Sequence, residues 1–222
     1  MRTSSAIPST PGSRLVLLFS PPAHPVGRKV FAFDIQVSMD IPLNSSFEST
    51  VPSSDVIRVV VMGVSGAGKS TIGTLVADAL DFPFVDADSL HPLSNIRKMA
   101  SGTPLNDEDR WPWLDLVGHE LATTSGRGVV VACSALKRRY RDAIRAKAPD
   151  TIFLHLAGSL EVLSARLEGR SGHFMPANLL ASQLEALEPM EADEAAVVVD
   201  VDHSMSEILD QAVAGIRTIA AG

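Results

Sequence analysis

Nine consecutive residues limit the folds open to this chain more than any others: Gly63-Val64-Ser65-Gly66-Ala67-Gly68-Lys69-Ser70-Thr71. They satisfy G-x-x-x-x-G-K-[ST], the phosphate-binding loop. The run before them, Ile57-Arg58-Val59-Val60-Val61-Met62, is β-branched and apolar and reads as a buried strand. After them, Ile72, Leu75, Val76, Ala79 and Leu80 recur at helical spacing. Strand, loop, helix is the context in which the motif carries its mechanism. Glycines let backbone N–H groups approach phosphate closely, and the helix N-terminus adds partial positive charge. The mechanics of the motif put Lys69 at the β- and γ-phosphates and the Ser70 hydroxyl on Mg²⁺.

Composition narrows the field further. The chain has 222 residues, 45% of them hydrophobic, and a mean hydropathy of +0.18, enough for one substantial α/β core. No apolar run approaches the roughly 20 residues a membrane span needs. A single cysteine, Cys133, excludes an internal disulfide and suits a reducing, cytoplasmic setting. Cys133 ends an apolar strand and is expected to be an inert buried thiol. The net charge of −7 argues against a general nucleic-acid binder. An acidic chain that handles anions must place its cations locally, so individual Arg and Lys positions become informative.

Residues 1–55 stand apart from the rest. They hold 7 of the 14 prolines and show no sustained helical or strand period. Their cations, Arg2, Arg14, Arg28 and Lys29, balance Asp34, Asp40, Glu48 and Asp55, so the whole negative charge lies downstream. A disordered extension is the expectation. A start codon set too early, with Met39 as the true start, explains the segment equally well. The first 33 residues lack any acid, and a transit peptide directing the chain to an organelle is the alternative reading.

From Val56 to the end, strands and helices alternate, which implies a parallel sheet covered on both faces. Strands are expected at 57–62, 82–85, 128–133, 151–156 and 196–200. Helices are expected at 92–100, after Asn106, from Lys137, at 159–169, from Pro176, and after the capping box Ser204-x-x-Glu207. Leu116 with Trp113, Leu114, Val117 and Leu121, and Leu160 with Leu163 and Leu167, are expected to face inward. The segment 170–175 reads as a mobile loop.

Ligands of open parallel sheets sit at the carboxyl ends of the strands. The second strand is followed by Asp86, Asp88 and His91, the third by Ser134 and Lys137. Beyond the fourth lie Arg166, Arg170 and His173. Carboxylates facing a cation-lined phosphate site fit phosphoryl transfer. One Asp can orient or deprotonate an attacking hydroxyl while the other holds a hydrated metal. His91 could equally end a turn. Arg138, Arg139 and Arg141 read as a solvated helix face, and Trp111 and Trp113 as core or groove wall.

Further stretches make a resemblance specific. They are residues 62–71, Asp88-Ser89-Leu90-His91-Pro92, residues 95–102, residues 105–114 (Leu-Asn-Asp-Glu-Asp-Arg-Trp-Pro-Trp-Leu), residues 132–138 and Gly172-His173-Phe174-Met175-Pro176. Over residues 57 to about 217 the chain resembles the small phosphate-loop gluconokinases, related in fold to shikimate and nucleoside monophosphate kinases. The resemblance implies an α/β P-loop NTPase with a five-stranded parallel sheet, helices on both faces and a lid. It implies ATP and Mg²⁺ as cofactors and D-gluconate as the small-molecule substrate, phosphorylated on its C6 hydroxyl.

Carried over residue by residue, ATP would lie on Gly63, Val64, Ser65, Gly66, Ala67, Gly68, Lys69, Ser70 and Thr71. Lys69, Asp88 as base, and Arg170 would be catalytic. Arg166 and Arg170 would swing onto the transferring group as lid arginines. Asp88, Arg97, Arg110, Lys137 and His173 would contact gluconate or phosphate, and Ser70 with Asp86 (through water) would hold the metal. Members of the family are often homodimers. Two departures stand out: Ala87, where the family often has Gly and a methyl could tighten the acceptor pocket, and the 55-residue extension. A related kinase acting on shikimate or a nucleotide is the nearest alternative. A switch without turnover is disfavoured, because no Asn-Lys-x-Asp guanine signature is present.

Overall fold

The computed structural model describes residues 56–168 and 177–222. The expectations for residues 1–55, Arg170, His173 and Pro176 lie outside the described residues. The organising strand is β1 (Ile57–Met62). Val59 and Val61 enter the apolar layer on one side of the sheet, and Val60 and Met62 enter the layer on the other. Its buried stretch, Val59 to Met62, is covered on both faces, which is why those four residues are a continuous apolar run and not an alternation. β1 pairs in parallel with β3 (Gly128–Ala132) and with β4 (Thr151–Ala157), placing Val59 between Val130 and Ile152. β2 (Phe84–Asp86) and β5 (Ala196–Asp200) complete the parallel sheet, in the order β2-β3-β1-β4-β5.

Helices cover both faces. On one lie α1 (Lys69–Leu80) and α7 (Met205–Ala220), burying Ile72, Val76, Ile208, Ala212 and Ile216 with Val59 and Leu154. Leu163 of α5 (Leu160–Glu168) and Leu180 of α6 (Ala177–Ala186) join the same layer. On the other face lie α3 (Asp107–Ala122) and α4 (Arg138–Arg145), burying Trp113, Leu114, Val117, Leu121 and Ile144. Each fully buried aliphatic side chain contributes about 1.5–3 kcal/mol. α2 is Leu93–Ala100, followed by Gly102 at φ 77°. α3 opens on a reciprocal capping box between Asn106 and Asp109, and α7 on one between Ser204 and Glu207. Among the described residues no helix is long and apolar enough to cross a membrane.

Some boundaries and orientations differ from expectation. β2 begins at Phe84, not Phe82, because Phe82 donates its N–H to the Ala77 carbonyl and so belongs to the turn ending α1. Leu116 and Leu160 are exposed, 43% and 51%. Leu116 lies off the Trp113/Val117/Leu121 stripe, and Leu160 sits in the first turn of α5, away from the buried Leu163.

The larger correction is Arg141, expected on a solvated face and found fully buried. The segment 188–194 packs over α4 where water was expected. Arg141 Nε and Nη2 donate to the two Glu194 carboxylate oxygens at 2.6 and 2.9 Å. Its remaining N–H groups reach the carbonyls of Leu136, Glu188 and Pro189 at 3.3, 3.2 and 2.9 Å, so all five donors are satisfied. Arg138 closes the same segment from outside through a bidentate pair with Asp193. Glu194→Ala is expected to destabilise the fold by about 3–5 kcal/mol, because it strands a buried guanidinium. Urea denaturation measures it, and a loss under about 1 kcal/mol would contradict a buried-charge role. Burial alone would raise the Glu194 pKa, but the hydrogen bonds from Arg141 and the Glu191 N–H bring it below its ordinary value. The pair's contribution is therefore complete at neutral pH and is lost as acid protonates the carboxylate.

Candidate active site

β1 runs out at Met62, and the chain turns through Gly63 and Gly66 with φ of 142° and 83°. A Cβ at Gly63 would stand 2.8 Å from the Leu156 carbonyl oxygen, and one at Gly66 would stand 2.8 Å from Leu167 Cγ. Only glycine fits either place. The loop closes through the Ala67 N–H on the Val64 carbonyl, 3.3 Å, and Lys69 Nζ bends back to the same carbonyl at 3.1 Å. Among the described residues no side chain caps α1, whose N-cap is Gly68. Its first-turn N–H groups are thus available to an anion at the positive end of the helix.

Across the cleft, β2 ends at Asp86 and a 3₁₀ turn, Ala87–Leu90, follows. Asp86 Oδ1 accepts the Asp88 N–H at 3.1 Å, and its Oδ2 accepts the Ser70 hydroxyl at 2.8 Å. One carboxylate therefore shapes the turn and touches the phosphate loop. Trp113 Nε1 donates to the Ala87 carbonyl at 2.7 Å and pins the turn from α3. The Asp88 side chain is 89% exposed. Ala87 is fully buried among the α3-side core residues, so its methyl points away from the cleft and does not tighten it.

His91 ends the turn and also lines the cleft, stacked on Trp113 with centroids 4.3 Å apart at 14°. Burial lowers its pKa, against the opposing pull of Asp88, so the ring is neutral at pH 7. Asn95 Nδ2 donates to the Asp109 carbonyl at 2.7 Å and lies 3.4 Å from His91 Nδ1. That contact makes Nδ1 the acceptor and leaves the proton on Nε2, which faces Asp88 Oδ1 at 4.0 Å.

Arg110 enters the cleft from the first turns of α3, held by the Leu105 carbonyl at 2.5 Å. Trp111, expected in the core or groove wall, is exposed outside the cleft lining and packs edge-on against Tyr140, whereas Trp113 is core. Lys137 and Arg139 stand behind, both paired with Asp107 and both over the Tyr140 ring. The Tyr140 hydroxyl, more than these cations, holds the Asp107 carboxyl below its ordinary range. Lys137 is thereby engaged outside the cleft wall, and Arg97 is exposed on α2, also outside it. Arg166 donates to the Val201 carbonyl, and its Nη1 stands 3.9 Å from where a Gly68 side chain would begin. Arg170 and His173 lie outside the described residues.

One cleft of about 490 Å³ unites these parts. Ser65, Gly66, Gly68, Lys69 and Ser70 line it from the loop, Asp86, Asp88 and His91 from the turn, and Arg110 and Trp113 from α3. Cys133 and Ser134 form its floor past β3. Burial pushes the Cys133 thiol up to about 12, so it is chemically silent. Gln183 of α6 also lines the cleft, and no sequence motif marks it. It is a polar residue in an ordinary amphipathic helix, and only its partner, 118 residues away, distinguishes it.

A parallel sheet in this order, a phosphate loop after its central strand, and carboxylates and an arginine across one cleft define a P-loop kinase. The profile of the shikimate kinase family matches residues 65–217. A probable gluconokinase of Xenopus tropicalis is 46% identical over 171 residues, 69% of this chain and 90% of that protein. The thermosensitive gluconokinase of Escherichia coli is 46% identical over 156 residues, 68% and 83% of the two chains. The crystal structure of a gluconokinase from Sinorhizobium meliloti superposes with a TM-score of 0.70 at 49% identity, covering 75% of this chain and 95% of that one. The chain belongs to the gluconokinase family.

Proposed function

We propose that this kinase transfers the γ-phosphate of ATP to the C6 hydroxyl of D-gluconate, giving 6-phospho-D-gluconate and ADP. The observation that carries the reading is the single cleft in which the phosphate loop faces Asp88 and Arg110. The catalytic domain is residues 56–222. A cytoplasmic setting and a homodimeric assembly are carried over from the family.

The phosphate loop of residues 63–71, through those of its amides not already bonded within the protein, binds and polarises the triphosphate together with Lys69 and the neighbouring Arg166. Arg110 pairs with the gluconate carboxylate, for which a planar guanidinium is the matching shape. Asp88 takes the proton from the C6 hydroxyl as its oxygen bonds to the γ-phosphorus, while the bond to the bridging oxygen breaks and its electrons leave with ADP. His91, neutral, stands 4.0 Å from the Asp88 carboxylate and leaves its charge unneutralised. The Ser70 hydroxyl and Asp86 carboxylate, already joined at 2.8 Å, suit a hydrated Mg²⁺ that takes oxygen donors and most of its other ligands from phosphates and water. Among the described residues no cluster of three or more His, Cys, Asp or Glu offers another metal site. When bound, Mg²⁺ would neutralise charge on the phosphate oxygens. Lys137 and Arg97 stand outside the cleft wall and would reach gluconate only after rearrangement.

The test is ADP release with ATP and Mg²⁺ across gluconate, shikimate and nucleoside monophosphates. Gluconate is expected to be preferred; a preference for shikimate overturns the reading. In the same assay Arg110→Ala is expected to raise KM for gluconate about ten- to a hundredfold, the worth of a charged hydrogen-bonded pair, with KM for ATP unchanged. An unaltered gluconate KM removes Arg110 from the acceptor site.

A further inference from the structure

The phosphate loop is held at one point by a side chain from a distant helix. Gln183 Oε1 accepts the Ser65 N–H at 2.7 Å. Ser65 is the third residue of the motif and lines the cleft beside Gly66 and Lys69. A carboxamide carries one acceptor oxygen and two N–H donors. Here the acceptor is used, and Nε2 has no hydrogen-bond partner among the described residues.

Two observations argue against a purely structural tether. The helix is already anchored by Leu180, buried to 1% exposure, and by Leu184 packed on the same apolar layer. Gln183 also lines the cleft itself, beside the Ser65 amide of the phosphate loop, in the same cleft as Asp86 and Asp88. The group due to sit between the phosphate loop and Asp88 is the transferring phosphoryl, whose charge spreads over three equatorial oxygens. A neutral donor there can follow that charge without binding the product as tightly as a fixed cation would.

We propose that Gln183 is a catalytic residue of the transfer step: Oε1 fixes the Ser65 end of the phosphate loop while Nε2 donates to an oxygen of the γ-phosphoryl group. This rests on the reading of the cleft as an ATP site.

The test uses the full chain and compares Mg²⁺-ADP with the Mg²⁺ complex of the non-hydrolysable β,γ-imido analogue of ATP by calorimetry, together with kcat for ADP release. Gln183→Met, which keeps the volume and removes both polar functions, is expected to weaken the analogue about tenfold, leave ADP within about twofold, and lower kcat about ten- to a hundredfold. Gln183→Glu keeps the acceptor but replaces the donors with a like charge; it is expected to retain ADP binding and lose at least as much kcat. Equal weakening of ADP and analogue by the Met variant, or a parental kcat in the Glu variant, reduces Gln183 to a tether and overturns the proposal. If the Met variant melts before assay, the Glu variant decides alone on those two readouts. A parent protein that binds neither nucleotide fails the ATP reading instead, which keeps the two failures distinct.

Discussion

Lys69→Ala is expected to lower kcat by about 10²–10³-fold, the usual loss when one preorganised donor to a transition-state oxyanion is removed. The effect falls on rate because charge on the γ-phosphoryl oxygens is redistributed in the transition state and Lys69 is the cation of the loop. The fold should survive the change. The loop is shaped by Gly63, Gly66 and the Ala67–Val64 hydrogen bond, none of which needs the ammonium group. Lys69 does bond the Val64 carbonyl at 3.1 Å, so a shift of a few degrees in melting temperature is allowed for. Coupled ADP-release kinetics and a thermal melt on the same preparation separate the two effects. A kcat near the parent's would remove Lys69 from the transfer step.

Asp88→Asn is expected to cost about 10²–10⁴-fold in kcat with little change in either KM, as for loss of a general base. The substitution is close to isosteric, and the Asp88 side chain is 89% exposed with His91 Nε2 4.0 Å away. What holds the turn is the neighbouring Asp86, which accepts from the Asp88 backbone and from Ser70, with Trp113 on the Ala87 carbonyl. The melting temperature should therefore stay at the parent value. An asparagine variant with parental kcat would reassign the base. A variant with raised KM for gluconate and unchanged kcat would make Asp88 a binding residue only.

The parts of the site legible in advance share one property. Each lies within a short contiguous stretch whose local conformation nearly determines its place. The loop residues, the strand before them and the acids ending β2 follow from glycine conformation, apolar runs and the rule that ligands gather past parallel strands. Misreadings arose where a residue's surroundings come from elsewhere in the chain. Arg141 looks like one more cation on a basic helix, yet the segment 188–194 covers it and supplies Glu194. Ala87 sits between two functional acids, yet the 3₁₀ turn directs its methyl into the core. Leu116 and Leu160 fit a loose apolar pattern but fall outside the faces that pack.

From sequence alone it follows that the chain builds a phosphate cradle on the central strand of a parallel sheet and that it resembles a small sugar-acid kinase. Those conclusions need only neighbouring residues, because backbone turns and strand periodicity are short-range effects. The fold itself settles which distant groups share the cleft: Asp86 with Ser70, Arg110 with Asp88, and Gln183 with the Ser65 amide 118 residues before it. Such meetings depend on how helices from both layers pack over the sheet. Side chains in close-packed interiors take their positions from every neighbour at once, so no local pattern encodes them.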